Sequence, residues 1–458
     1  MKPVDRIAGD DVVELETLDT SPTETSKPMA INQVAIIPRP RVVLEVLDET
    51  LPQPSKLRIE LPGLETIKLE KPILLEPERR LPETSIDPLE ALFGTSRLRV
   101  YSERPLLVLA RKPLNMRYDY IELLKRVLRE IYRVSWRAPL YTQHVARRLT
   151  EYQLAMMRAG AAIYVVDLDE LAGGEAETER ITTSSRVVKS LEDRAREAYA
   201  QGFGFLVLYA SQYMLQNIQR LWEPRLASRG LLYTRLPPPL ELSIVEDDAV
   251  FDLVATMYGL EPSDIQGASS LVDAIIMAEH RYYSFLEAFA NDPTLALLSR
   301  PPVDDEETRP DEGFIHYAFK MAVVSYLLEA GFDERSIDVE VRTSSSIALD
   351  IMASRGWSSV LVVEVETLYG TGNPVVRLSS VVRDRLAMGY SVWIVIPPFQ
   401  ASIYAPQLLS LLRKYDGIER VEFYTLDMSS GSLVSLEEHI KKLETMAARL
   451  VEVKTGSM

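Results

Sequence analysis

Residues 359–397 read SVLVVEVETLYGTGNPVVRLSSVVRDRLAMGYSVWIVIP, and this stretch decides the fold class of the C-terminal third of the chain. Its first segment, SVLVVEVETL, is apolar on both faces, which predicts a buried strand. Asn373 and Pro374 open a helix that Gly389 ends, and SVWIVIP predicts a second buried strand. A strand, a helix and a strand in succession indicate an α/β domain.

The flanking segments extend this pattern over residues 311–458. Residues 314–330 predict a helix with Gly331 as its stop, and IDVEV and IALDIMA predict strands before the quoted stretch. After it come a helix over PQLLSLLRKY, a strand over RVEFYTLD and a terminal helix with a capping box from Ser435 to Glu438. The predicted order is helix, three strands, helix, strand, helix, strand, helix.

Three carboxylates fall on the second and third of these strands. Asp350 lies in IALDIMA, and Glu364 and Glu366 lie toward the end of SVLVVEVETL. Because side chains alternate along a strand, Glu364 and Glu366 share a face that Asp350 can meet from the neighbouring strand. Converging carboxylates suit Mg²⁺ or Mn²⁺, which could activate water and clamp a scissile phosphate. The alternative is that the strand emerges into solvent at Glu364 and leaves ordinary surface acids.

The element order and these acids together resemble the PD-(D/E)XK superfamily of restriction-endonuclease-like nucleases. That family has a core of a helix, a three-stranded meander, a helix and a strand, with an acid on the second strand and an acid-x-Lys motif on the third. Asp350 matches the first acid and Glu364 the second, while Glu312 matches an acid that many members carry on the leading helix. The resemblance implies a restriction-endonuclease-like domain at 311–458 that hydrolyses phosphodiester bonds with Mg²⁺ or Mn²⁺ held by Asp350 and Glu364.

The motif departs from the family at Glu366, where the family usually has lysine. Some members carry the cation on a neighbouring element, so Lys320 on the leading helix, or Arg377 or Arg383 on the following one, could substitute. His316, one turn before Lys320, is a further residue of interest. The candidate catalytic residues are Asp350, Glu364, Glu366 and Lys320. Equally, the domain could be inactive and act as a scaffold or interaction subunit of a larger complex.

The net charge of −16 excludes an overall basic nucleic-acid coat, but the charge is unevenly distributed. Residues 91–240 carry +8 and residues 241–310 carry −12. Within the basic block, Arg126, Arg129 and Arg133 are interleaved with tyrosine and tryptophan, a mixture that a phosphate-backbone or single-strand surface requires. The alternatives are a solvated helix face or internal pairing with the acidic segment. The candidate nucleic-acid-binding residues are Arg126, Arg129, Arg133, Arg377 and Arg383.

Four segments are predicted: an extended proline-rich arm at 1–90, a basic α/β domain at 91–240, an acidic helical segment and linker at 241–310, and the nuclease-like domain at 311–458. The arm holds 12 of the 28 prolines, and it could dock a protein partner or wrap the chain's own surface. In the basic domain, AIYVVDLDELAGG echoes SVLVVEVETLYGTG, with Asp167 and Asp169 in the places of Glu364 and Glu366. This domain is therefore either a degenerate internal duplicate or a chance echo.

Several classes of site are excluded by composition. The absence of cysteine excludes disulfides, thiolate metal sites and a cysteine nucleophile, and no P-loop or GxGxxG motif occurs. No signal segment or long apolar run is present, so we expect a cytoplasmic protein without membrane contact, and the composition suits a thermophile. Our first hypothesis is a divalent-metal-dependent nuclease acting on DNA rather than RNA. The alternative is an inactive nuclease-fold scaffold, and since nuclease-like domains often pair, a homodimer is a further expectation.

Overall fold

The computed structural model describes residues 86–99, 106–135, 145–146, 163–172, 193, 204–219, 239–298, 310–342, 348–355 and 359–456. All of them belong to one compact unit, Pro77–Met458. The predicted arm therefore lies outside the described residues, except for its last five positions. There the prediction of extended chain is wrong, because helix α1, Pro88–Phe93, begins at a proline and is capped by the side chain of Asp87.

The first sheet is wholly parallel in the described part of the chain. Its strands are β1 Leu106–Arg111, β2 Val145–Ala146, β3 Ile163–Asp167, β4 Phe205–Ala210 and β5 Leu240–Leu242. They lie side by side in the order β2-β3-β4-β1-β5. Strand β4, FLVLYA, is buried along its whole length, which is the composition expected of a parallel strand covered on both faces.

The second sheet is mixed. Its strands are β6 Ile337–Arg342, β7 Ala348–Arg355, β8 Ser359–Val365, β9 Ser391–Val395, β10 Val421–Leu426 and β11 Leu433–Ser435. Strands β6, β7 and β8 form an antiparallel meander, β9 and β10 continue in parallel with β8, and β11 closes the edge antiparallel to β10. The predicted element order of the C-terminal segment is confirmed, with one short helix and the edge strand β11 in addition.

Helices flank both sheets. After α1 they are α2 Ile121–Ser135, α3 Leu168–Ala172, α4 Ala249–Met257, α5 Leu271–Ala290, α6 Pro293–Ala296, α7 Pro310–Glu329, α8 Pro374–Ala387, α9 Pro398–Ile403, α10 Ala405–Tyr415 and α11 Leu436–Gly456. The N-cap of α8 is the predicted one, since Asn373 Oδ1 accepts from the N–H groups of Val375 and Val376. Helix α7 begins at Pro310, so the predicted linker over 301–313 is wrong for its last four residues, and 301–309 lie outside the described residues.

The acidic helical segment packs into the body of the unit. Helix α5 contacts α2, α4 and α7, and Tyr282 on α5 lies with its ring 6.1 Å from Tyr258 and 6.3 Å from Phe319. The terminal helix α11 buries Leu436, Ile440 and Leu443 among its neighbours. No helix among the described residues is long and apolar enough to cross a lipid bilayer.

Each sheet contains one pair of parallel strands from the repeated sequence pattern, and the two sheets differ in the strand that lies beside that pair. Strands β3 and β4 are parallel neighbours, as are β8 and β9. The other neighbour of β3 is the parallel strand β2, whereas the other neighbour of β8 is the antiparallel strand β7. Duplication of the strand-helix-strand unit therefore stays a prediction, and the described part of the first sheet has no antiparallel meander.

Candidate functional site

The strand register of the second sheet places acidic residues in one row. Val339 of β6 pairs with Ile351 of β7, and Ile351 pairs with Val363 of β8. The same registers, continued by one residue, set Asp350 opposite Glu340 on one side and opposite Glu364 on the other. Directly opposed residues of antiparallel strands have Cβ atoms about 4.5–5.5 Å apart. The register thereby places Asp350 between Glu340 and Glu364, and the negative charge of Asp350 acts on Glu364, the pair that the sequence predicted.

Asp350 is held by a backbone group and by a histidine. Its Oδ2 atom accepts from the N–H of Val365 at 2.8 Å and lies 3.2 Å from Nε2 of His316 on α7. The same His316 nitrogen is 3.0 Å from the carbonyl oxygen of Val365, so it faces two acceptors and carries the proton. Burial acts to raise the pKa of Asp350, but the hydrogen bond and positive charge of His316 outweigh it and lower that pKa.

Glu364 is buried at the end of β8, with 4% of its surface exposed. Arg385 on α8 donates from Nε to Glu364 Oε1 at 2.5 Å, and its Nη2 donates to the carbonyl oxygen of Ala348 at 3.0 Å. Burial, together with the negative charge of Asp350, raises the pKa of Glu364 to about 7 in spite of Arg385. The alternative that Glu364 is an ordinary surface acid is therefore wrong.

Glu366 follows β8 directly and remains tied to the sheet, because its N–H donates to the carbonyl oxygen of Val395 at 2.9 Å. Its side chain is 11% exposed, and Arg377 Nη2 on α8 lies 3.5 Å from its Oε1 atom. Burial raises the pKa of Glu366, and the charge of Arg377 opposes that shift. Arg377 therefore belongs to this cluster as the partner of a carboxylate.

Lys320 reaches the same row from α7. It is buried, with 3% of its surface exposed, and its Nζ pairs with Oε1 of Glu340. Its charge also acts to lower the pKa of Asp350. Glu340 has φ 57°, a left-handed conformation that is uncommon for a residue other than glycine within a strand. Backbone strain and a buried cation thus coincide at the strand position opposite Asp350.

Two residues predicted from the sequence are not part of this cluster as the structure describes it. The side chain of Arg383 is 74% exposed, and its Nε atom lies 3.4 Å from Oδ1 of the adjacent Asp384. The side chain of Glu312 lies outside the described residues. Arg383 remains a candidate for an external phosphate contact and has no part in the carboxylate row.

The basic block of α2 faces the acidic helix α5. Arg126 forms a fork with Glu279, in which Nη2 donates to Oε2 at 2.7 Å and Nε donates to Oε1, so internal pairing is observed at this residue. Arg133 Nη1 lies 3.6 Å from Oε1 of Glu130 and donates to Tyr369 Oη at 3.2 Å. Arg129 is partly buried and forms no ion pair with a described residue. All three line a cavity of about 360 Å³.

Asp350 and Glu364 are the residues of this cluster that could hold a divalent cation together with water and phosphate. Among the described residues, no group of three or more histidine or acidic side chains could hold a metal. Mg²⁺ does not need such a group, because it keeps several waters and is usually held by one or two carboxylates plus substrate phosphates. Asp350 and Glu364 each bind their described partners through one oxygen, so a second oxygen remains on each carboxylate.

Sequence reasoning missed Arg385 and Glu340. Arg385 continues the buried stripe of α8, since it follows Val381 and Val382 by four and three residues, and this spacing directs it toward the sheet. Glu340 gives a weaker signal, because its place opposite Asp350 depends on the register of a strand pair. Comparisons of the chain with protein-family models, with curated proteins and with solved structures found no match.

Proposed function

We propose that the C-terminal segment is a divalent-metal-dependent nuclease, or a nuclease-like DNA-processing domain, that hydrolyses phosphodiester bonds. The observation that carries this proposal is the register of β7 and β8, which, continued by one residue, opposes Asp350 and Glu364 on neighbouring strands of the second sheet. Glu364 is 4% exposed and the side chain of Asp350 is 20% exposed, and carboxylates removed from water cost free energy unless cations or donors compensate them. Because such carboxylates are costly for the fold, their presence on two neighbouring strands supports a role in binding or catalysis.

The element order supports the same proposal. Helix α7, the meander β6-β7-β8, helix α8 and strand β9 follow one another as in the core of the PD-(D/E)XK superfamily. One acid stands on the second strand and one on the third, as in that family. Lys320 meets the carboxylate row from the leading helix, and this supports it as the cation that replaces the missing motif lysine.

Each residue has a separate proposed role. Asp350 and Glu364 would hold Mg²⁺ or Mn²⁺, which when bound supplies Lewis-acid polarisation of the phosphate and a water of lowered pKa. His316 keeps Asp350 ionised and fixes its orientation through Oδ2. Lys320 would offset phosphate charge. Glu366, screened by Arg377, serves as an accessory acid at the rim of the row.

One observation favours the second candidate, an inactive nuclease-fold scaffold. Arg385 already neutralises Glu364 through a short ion pair, and Arg377 lies beside Glu366, the residue that stands where the family has lysine. A carboxylate cluster compensated by side-chain cations is stable without a metal. The two candidates make opposite predictions for the same assay.

The assay incubates the purified chain with single-stranded, duplex and branched DNA and with RNA, in Mg²⁺, Mn²⁺ or EDTA. Cleavage in the metal-containing reactions is expected, and Asp350→Asn and Glu364→Gln should each lower its rate by more than about 100-fold. Even outer-shell partners of a metal site typically change activity by about 10- to 100-fold, and these residues would be direct ligands. Glu422→Gln, an exposed acid on β10 of the same sheet, is the matched control.

Two results would refute the catalytic proposal. One is a wild-type chain that cuts none of the substrates in either metal. The other is cleavage that persists unchanged in the Asp350→Asn and Glu364→Gln double variant, because it would come from a contaminating nuclease. Either result leaves the scaffold as the proposed function.

A further inference from the structure

A cavity of about 360 Å³ is lined in part by residues that neighbour the carboxylate row in sequence, and its chemistry differs from that of the row. Phe314 and Ile315 of α7 line it and directly precede His316. Tyr369, three residues after Glu366, lines it from the loop that follows β8. Its volume falls within the range of about 300–1,000 Å³ that is usual for small-molecule sites.

One wall of the cavity is cationic. Arg126, Arg129 and Arg133 lie on one face of α2 at positions i, i+3 and i+7, and two glutamates, Glu130 and Glu279, line the cavity beside them. The fork to Glu279 holds Arg126, and the guanidinium of Arg133 lies over the ring of Tyr369 at 5.1 Å. Arg129, without an ion pair to a described residue, keeps its planar fork of donors for an incoming anion.

A second wall is aromatic. Tyr283 is 44% exposed and lines the cavity, and its ring meets that of Tyr282 edge to face at 5.4 Å. Tyr258 is stacked on Phe399 at 4.6 Å, which fixes a second aromatic surface in the lining. Exposed tyrosine rings beside arginines are the groups on which single-stranded bases stack.

Gln400 connects two other residues of the cavity lining, Glu130 and Tyr369. Gln400 is 4% exposed, and its Nε2 donates to Glu130 Oε2 at 3.0 Å and to Tyr369 Oη at 3.1 Å. Its Oε1 atom is buried and has no hydrogen-bond partner among the described residues. A ligand in the open cavity does not reach this oxygen, because the atom has almost no accessible surface.

We propose that this cavity binds one nucleotide of a single-stranded nucleic acid, with the phosphate on Arg129 and the base stacked on Tyr283. The choice of a nucleotide as the ligand rests on the proposed function. The cavity lining adjoins the row along the chain, through Ile315 beside His316 and through Tyr369 three residues after Glu366.

The test measures binding of free ligands to the full chain by isothermal titration calorimetry. The probes are AMP, GMP, CMP and UMP, the matching nucleosides, and inorganic phosphate, all without metal. At least one monophosphate should bind, and its nucleoside and phosphate alone should each bind at least about tenfold more weakly, as expected when a charge-assisted hydrogen bond or a stack is lost. The inference is overturned if no monophosphate binds, or if phosphate alone binds as tightly.

Substitutions locate the site. Arg129→Ala should weaken monophosphate binding at least about tenfold, and Tyr283→Ala at least about fivefold, whereas Tyr283→Phe keeps the stacking ring and should retain affinity. Arg449→Ala, an arginine of α11 with a side chain 55% exposed, is the control. Unchanged melting temperatures show that the variants fold. Wild-type affinity in both alanine variants would overturn the inference.

This inference and the nuclease proposal fail separately. Asp350→Asn should still bind the monophosphate, because it is a residue of the carboxylate row and not of the cavity wall. If the chain binds a monophosphate but cleaves nothing, the nucleotide-site proposal stands and the nuclease proposal fails. If the chain cleaves nucleic acid but binds no monophosphate, only the nucleotide-site proposal fails.

Discussion

Arg385 of α8 and Glu364 of β8 form a buried ion pair, with Nε 2.5 Å from Oε1. Their side chains are 11% and 6% exposed, so water screens the pair little. The guanidinium occupies one carboxylate oxygen and also donates to the carbonyl oxygen of Ala348 on β7. Helix α8 is thereby tied to two strands of the meander at the proposed site.

Arg385→Met should destabilise the fold by about 3–5 kcal/mol, because removing one partner leaves the other buried without compensation. Urea denaturation at pH 8, where Glu364 is mostly ionised, measures the free energy of unfolding. Arg383→Met is the matched control, since it removes an arginine from the same helix with a side chain 74% exposed, and should change that free energy by no more than about 0.5 kcal/mol. Equal losses in both variants would contradict the ion-pair argument.

Lys320→Met should lower the rate of cleavage by about 100-fold or more if this lysine replaces the missing motif lysine. Glu340→Gln removes the charge of its ion-pair partner and should leave more than about a tenth of the rate, because Lys320 then still faces Asp350. The measurement is the single-turnover rate on the preferred substrate, beside a thermal melt of each variant. A folded Lys320→Met chain with the wild-type rate would remove Lys320 from the mechanism.

The buried His439 should make the free energy of unfolding depend on pH. His439 is 4% exposed, its Nε2 lies 3.1 Å from the hydroxyl of Ser402, and burial lowers its pKa from 6.5 to about 4. The unfolded chain binds a proton near pH 6.5, whereas the folded chain does not until about pH 4. This histidine therefore contributes stability above pH 6.5 that falls by about 3 kcal/mol as the pH decreases from 6.5 to 4.

The check is urea denaturation at pH 7.5, 5.5 and 4.5 on the wild type and on His439→Gln. The variant should lose this part of the pH dependence, whatever its absolute stability. His280→Gln, an exposed histidine of α5, is the control and should follow the wild type. The same pH dependence in wild type and His439→Gln would show that another group is responsible.

Gly259→Ala should destabilise the contact between α4 and the second sheet. Gly259 has φ 73°, and a Cβ atom there would lie 2.8 Å from the carbonyl oxygen of Leu426 and 2.9 Å from Cγ of Pro398. Left-handed strain and overpacking together predict a loss of about 2–5 kcal/mol. Gly267→Ala is the control, since φ is 98° there and no atom lies within 4 Å, so it should cost only the backbone strain.

The urea midpoint of the two glycine variants measures this difference. Gly259→Ala should unfold at a clearly lower urea concentration than Gly267→Ala. Equal midpoints would mean that the backbone at Gly259 moves away from Leu426 without cost. The comparison also tests whether this close approach couples the helical segment to the mixed sheet.

Local pattern accounts for most of the elements of the C-terminal segment. Apolar strands, the Asn373-Pro374 start of α8 and the glycine at its end are signals within a few residues, and each was confirmed at or near its predicted position. The boundary at Pro310 was less accurate, because a proline-rich acidic stretch resembles a linker whether or not its last residues begin a helix. Asp350 and Glu364 could be paired from sequence, since period-two alternation and a meander bring them to neighbouring strands.

What the sequence alone determined is therefore the α/β class, the order of elements in residues 311–458 and the acids that lie on their strands, because periodicity and end signals act over short distances. Tertiary structure alone decided which cation meets which acid. Arg385 reaches Glu364, Lys320 reaches Glu340 and Arg126 reaches Glu279 across 21, 20 and 153 positions of sequence. These pairs depend on strand register and helix packing, which are set by the burial of whole faces rather than by any short stretch of the chain.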